Sequence, residues 1–233
     1  MSEAPPNVVG MDVILVPGLW LDASSWDATT AALRAAGHRP HALTLPRHPD
    51  ARIDEWVAAV TDEIDAASGP VLLVGHSGGG NVVWGAADRR PDRVARVVFV
   101  DTMPPPPGAI ISEFPVVDGV VPFPGWDFFD EPDVADLTAE TRQRVAAAAI
   151  DVPGSVPTGP LALNDARRSN IPVTVLSGQL DADGVHAALA EWGAWADEFD
   201  RLADVDVVHL GSGHWPQFSQ PDVVAAHIVA AAG

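Results

Sequence analysis

The chain has 233 residues, 47% hydrophobic and 19% charged, a globular composition and a length suited to one large domain rather than two small ones. Its 32 acidic residues against 13 basic give a formal charge of −19, which repels phosphate backbones and anionic bilayers and argues against nucleic acid or membrane surfaces as partners. Cys, Tyr and Lys are all missing, so disulfides, thiolate metal sites, cysteine nucleophiles and lysine Schiff bases are excluded.

Residues 1–10 lack the basic and apolar regions of a signal peptide, and no apolar stretch approaches the roughly 20 residues of a membrane helix, so a cytoplasmic protein is expected. Met11–Val16 reads as a buried strand closed by Pro17-Gly18. Ser24 or Ser25 is placed to cap a helix running to Ala36, with Gly37 as its stop. His41–Leu45 reads as a second strand. From Ile53 to Ala67, Ile53, Trp56, Val57, Val60 and Ile64 recur at helical spacing. Val71–Val74 is a strand, Gly75–Gly80 a tight turn, Asn81–Arg89 a helix and Val94–Val100 a strand.

After Asp101 the alternation stops. Residues from Pro104 to about Asn170 are rich in proline, four of them consecutive at Pro104–Pro107, with scattered aromatics. This stretch is too irregular for a second core and reads as a lid inserted between two strands. The alternation resumes with a strand at Pro172–Leu176, a helix within Val185–Leu202, a strand at Val205–Leu210 and a closing helix from about Gln220. Six strands interleaved with helices imply one α/β domain over 1–233: an open, mostly parallel six-stranded sheet with helices on both faces and an insertion at about 104–170.

The sharpest motif is Gly75-His76-Ser77-Gly78-Gly79, set between a strand and a helix. A serine on so tight a turn is strained, and glycine flanks avoid backbone clashes. Ser77 then projects above the next helix N-terminus, where a developing oxyanion is favoured. A dinucleotide loop lacks its spacing here, and a phosphate-binding P-loop lacks its lysine. The base best placed for such a serine is His214, in the glycine-flanked loop Gly211–Pro216. For the orienting acid, Asp181 and Asp183 follow one strand and Asp101 another; all three could equally be caps or loop aspartates. His76, inside the turn, is expected to point away from the serine and to pack or hydrogen-bond locally.

These pieces, with Val16-Pro17-Gly18-Leu19-Trp20, Gly178-Gln179-Leu180-Asp181 and Gly213-His214-Trp215, resemble the α/β-hydrolase superfamily from about Met11 to Ile228. The resemblance puts the acid three residues after Gly178, so Asp181 leads, with Asp183 and Asp101 behind it. It also implies an oxyanion hole from the N–H groups of Gly78 and Leu19. The family commonly has His-Gly where this chain has Pro17-Gly18, and its N-terminal antiparallel hairpin is missing. The activity implied is that of a serine esterase or lactonase, with no cofactor or metal, acting on a small ester or lactone bearing an apolar group. Trp20, Trp215, Phe123 and Trp126 are candidate substrate contacts. Alternatives on the same fold are a cofactor-free dioxygenase, a hydroxynitrile lyase and a non-catalytic ligand receptor. The lyases carry a lysine where this chain has Trp215.

Overall fold

The computed structural model describes residues 10–233; the reading of residues 1–9 lies outside that range. The chain runs β1 (Asp12–Val16), α1 (Asp27–Ala35), β2 (Arg39–Ala42), α2 (Ile53–Ala66), β3 (Val71–His76), α3 (Gly78–Arg89) and β4 (Val94–Val100). An insertion follows, holding β5 (Val120–Val121), α4 (Glu131–Val134), α5 (Ala139–Ala148) and β6 (Val152–Pro153). The chain then completes β7 (Val173–Ser177), α6 (Ala182–Ala190), α7 (Ala194–Phe199), β8 (Val205–His209), α8 (Pro216–Ser219) and α9 (Pro221–Ala231).

The main sheet has the order β2-β1-β3-β4-β7-β8, and every pairing in it is parallel. Its strands alternate in the face they present, as the two-residue strand period demands. Ile14, Leu73, Val97, Phe99, Val173 and Val175 pack with residues of α2, α3, α6 and α7 on one face. Val13, Leu15, Leu72, Val74, Val98 and Leu176 pack with α1 and α9 on the other. Burial on both faces is why these strands read as continuous apolar runs rather than alternating ones.

The chain leaves β1 for β2 on one side, then crosses back to β3 on the other. The carboxyl ends of β1 and β3 therefore flank a switch point, where an open α/β sheet leaves a crevice.

Several boundaries differ from expectation. The second strand is Arg39–Ala42, not His41–Leu45, and includes Pro40. It lies at the sheet edge, where a residue without an N–H is tolerated. The first helix is preceded by a 3₁₀ turn (Ala23–Trp26) capped by Asp22, which accepts from the Ser24 N–H at 2.9 Å, rather than by a serine. The helix after the Ser77 turn begins at Gly78 instead of Asn81. The span 185–202 holds parts of two helices, broken at Gly193, whose φ is +50°.

The insertion has more structure than its prolines suggested, with two short helices and a two-stranded antiparallel ribbon. Its end is anchored by charge. Arg168 donates to Glu198 (2.8 and 2.9 Å) and to Asp88 (3.1 Å), and Asp88 also accepts the N–H groups of Asn164 and Asp165. Trp84 Nε1–H completes the set on Glu198. Among the described residues, no helix is long and apolar enough to cross a membrane.

Candidate active site

Ser77 sits at φ +50°, ψ −126°, a conformation that side chains rarely adopt. The neighbouring glycines are required by close approach. A Cβ at Gly75 would come within 2.6 Å of the Gly79 carbonyl, and one at Gly79 would meet the carbonyls of Pro17 and Val16. The turn is pinned by Ser77 N–H to the Val100 carbonyl and by Gly80 N–H to the Ser77 carbonyl.

His214 arrives on the loop between β8 and α8. Its Nε2 lies 2.9 Å from Ser77 Oγ, and its Nδ1 lies 2.6 Å from Asp101 Oδ2. The other carboxylate oxygen of Asp101 accepts the Gly178 N–H at 2.8 Å. Burial pushes the Asp101 pKa up, but the His214 hydrogen bond, the His214 charge and the Gly178 N–H together hold it below the ordinary carboxylate value. Asp101 adopts φ +46°, which turns its side chain toward the histidine at the end of β4.

The acid expected to lead is corrected by this geometry. Asp181 is the N-cap of α6 and accepts the Gly184 N–H at 2.9 Å; Asp183 lies exposed in that helix's first turn. The carboxylate on His214 is that of Asp101. Gly178, the glycine of the Gly-x-x-Asp segment, takes part through its N–H, and a Cβ there would press on Asp101 Oδ1 at 2.8 Å.

His76 is fully buried, and its Nε2–H donates to the His214 carbonyl at 2.8 Å. Burial, reinforced by the charge of His214, drives its pKa down to about 3, so it is neutral at ordinary pH.

A cavity of about 170 Å³ opens on Ser77 and His214. Trp20 and Trp215 line it as expected, joined by Leu19, Ile111, Phe114 and Phe129. Its polar lining includes Ser112 and Asp133. Leu19 faces the turn directly, since a Cβ on Gly78 would stand 3.3 Å from Leu19 Cγ. Phe123 and Trp126, expected to touch substrate, stand behind this wall instead. Phe123 packs edge-on against Trp20 and Trp126, and Trp126 packs edge-on against Trp215 while its Nε1–H donates to the Arg142 carbonyl. Asp101 also lines a larger recess of about 420 Å³, which neither Ser77 nor His214 lines.

Sequence reasoning missed Ile111, Ser112 and Asp133. The insertion carries no periodicity that would select them. Only the structure ties Asp133 to Gly213, where any side chain would collide with the Asp133 carbonyl. Among the described residues, no cluster of three His, Cys, Asp or Glu side chains is arranged to hold a metal ion.

The fold has known counterparts. Residues 13–227 match the alpha/beta hydrolase family. The chain is 46% identical to the rice esterase PIR7B over 99 residues, which cover 37% of each protein. It is 30% identical to a pyrethroid hydrolase of Sphingobium wenxiniae over 112 residues, 44% of this chain and 40% of that one. These matches therefore span about two fifths of the curated relatives' length. Among solved structures, an extracellular α/β-hydrolase from a Paenibacillus species superposes with a TM-score of 0.76 at 20% identity, covering 95% of this chain and 98% of that one. With the family's pattern matched over nearly its whole described length, the chain belongs to the alpha/beta hydrolase family.

Proposed function

We propose that the protein is a serine hydrolase that cleaves a carboxylic ester or lactone with an apolar group through an acyl-enzyme. The observation that carries this reading is the unbroken hydrogen-bonded chain Ser77–His214–Asp101 at 2.9 and 2.6 Å. Similarity to esterases over part of the chain supports it. Residues 104–170 act as the lid of a single hydrolase domain, with Trp20, Phe114, Phe129 and Trp215 lining the substrate cleft.

In this mechanism His214 Nε2 takes the Ser77 Oγ proton as the oxygen attacks the carbonyl carbon. The carbonyl oxygen becomes an oxyanion, held by the N–H groups of Gly78 and Leu19. The Gly78 N–H belongs to the first turn of α3, where N–H groups have no intrahelical acceptor and the helix dipole favours negative charge. Asp101 stabilises the imidazolium. The tetrahedral adduct collapses with His214 returning the proton to the departing alcohol, which leaves an acyl-serine. His214 then deprotonates a water that attacks the acyl carbon, and the second collapse releases the acid and restores Ser77.

The test is turnover of p-nitrophenyl acetate together with labelling by a fluorophosphonate. The native protein is expected to hydrolyse the ester and to carry the label on Ser77. Ser77→Ala is expected to lose both. Unchanged turnover in Ser77→Ala would overturn the reading.

A further inference from the structure

The catalytic cavity contains one charged feature that the hydrolysis steps do not use. Asp133 lies on α4, in the insertion, and lines the cavity beside Ser77 and His214. One of its carboxylate oxygens accepts from Gln179 Nε2 at 2.8 Å; the other has no hydrogen-bond partner among the described residues. No arginine lines the cavity, and among the described residues no basic side chain forms an ion pair with Asp133. Burial and the nearby charge of Asp101 raise its pKa, opposed by His214 and by the Gln179 bond. The carboxylate is thus short of positive charge.

The rest of the lining supplies what a cation binds. Trp20, Phe114, Phe129 and Trp215 present four rings to a space of about 170 Å³. Trp215 stacks edge-on with both His214 and Phe129, at 4.7 Å in each case. Ring faces attract ammonium groups, most strongly where water is excluded. The net charge of −19 works in the same direction at long range.

The position of Asp133 also says which part of the substrate is concerned. Its carbonyl accepts the His214 N–H at 2.8 Å, so it belongs to the histidine side of the cleft. His214 Nε2 must face the departing oxygen, whereas Leu19 and Gly78 face the carbonyl oxygen. We infer that this site takes esters whose alcohol portion carries a cation, an ammonium group held by the Asp133 carboxylate among the aromatic rings. The inference rests on the hydrolase reading above and names its substrate class.

The experiment compares acetylcholine with 3,3-dimethylbutyl acetate, its uncharged isostere, in the native protein and in Asp133→Asn. Asparagine still accepts from Gln179, so the local hydrogen bond is retained. The ratio of kcat/KM for the charged to the uncharged ester is expected to fall by about tenfold in the variant, the scale of one desolvated cation contact. A ratio that does not change on substitution would overturn the cation site while leaving the hydrolase intact. Calorimetry with choline chloride on Ser77→Ala protein reads the site without catalysis. Saturable binding that is lost in Ser77→Ala/Asp133→Asn supports it, and no binding to Ser77→Ala overturns it. Absence of any ester turnover or fluorophosphonate adduct in the native protein would instead remove the hydrolase reading, with the calorimetry still deciding whether a cation binds.

Discussion

Asp101 and Asp181 both follow a strand and both accept a backbone N–H, yet they do different work. Asp181 spends its carboxylate on the end of α6, whereas Asp101 divides its two oxygens between Gly178 and His214. Asp101→Asn is therefore expected to lower kcat by roughly 10³ to 10⁴, by favouring the wrong imidazole tautomer. Asp181→Ala should leave ester turnover within about twofold and cost about 1 kcal/mol of stability, as the loss of a helix cap does. Steady-state kinetics and urea denaturation of the two variants separate these outcomes. The Ser77–His214 pair was legible because a G-x-S-x-G turn and a glycine-flanked histidine announce their geometry locally. The acid was not. Three aspartates follow strands in similar contexts, and only the positive φ at Asp101 and the packing of β4 beside β3 decide which one reaches the histidine.

The central elements could be read because strands buried on both faces and amphipathic helices each leave an unmistakable pattern. Local readings failed where tertiary context decided instead. Pro40 is acceptable only because β2 is an edge strand, and the split between α6 and α7 hangs on one glycine. The insertion was opaque for a further reason, since its order comes from contacts made elsewhere in the chain. Arg168 is the clearest example: it is almost fully buried and joins the end of the insertion to Asp88 of α3 and Glu198 of α7. Arg168→Leu would leave the buried Asp88 without its cation and Glu198 with only the more distant Arg201, at 3.6 Å. It is expected to destabilise the protein by about 3–5 kcal/mol, measured by chemical denaturation. A loss below about 1 kcal/mol would show that the network is dispensable.

Across the whole molecule, acid stability has an identifiable source. His76 has a folded pKa of about 3 against an ordinary 6.5, so between these values the unfolded chain binds a proton that the folded one does not. Its contribution is fully present above about pH 6.5 and is lost progressively as the pH falls toward 3. Asp101 has a lowered carboxyl pKa, so its contribution is present above the ordinary value of 3.8 and is lost only as the pH falls through its folded value. Between pH 6.5 and 4 the rise of stability with pH therefore belongs to His76, opposed by Asp133, whose raised carboxyl pKa favours the folded state at the acid side. His76→Gln should flatten the dependence of unfolding free energy on pH in that window, by up to about 1.4 kcal/mol per pH unit. Denaturation curves at a series of pH values measure it, and an unaltered slope would reassign the acid sensitivity.

The contacts of α4 and of the turn that follows it tie the insertion to the His214 loop. The Asp133 carbonyl holds the His214 N–H, the Asp136 carboxylate holds the Gly213 N–H, and Val134 and Leu137 pack on Trp215. The segment beside the cleft and the mounting of His214 are thus one mechanical part. Swinging this segment outward would break the contacts that seat the His214 loop. Shortening the insertion to widen the mouth should then produce a less active protein rather than a more permissive one, because what would be removed is the bearing on which the proton-carrying ring is mounted.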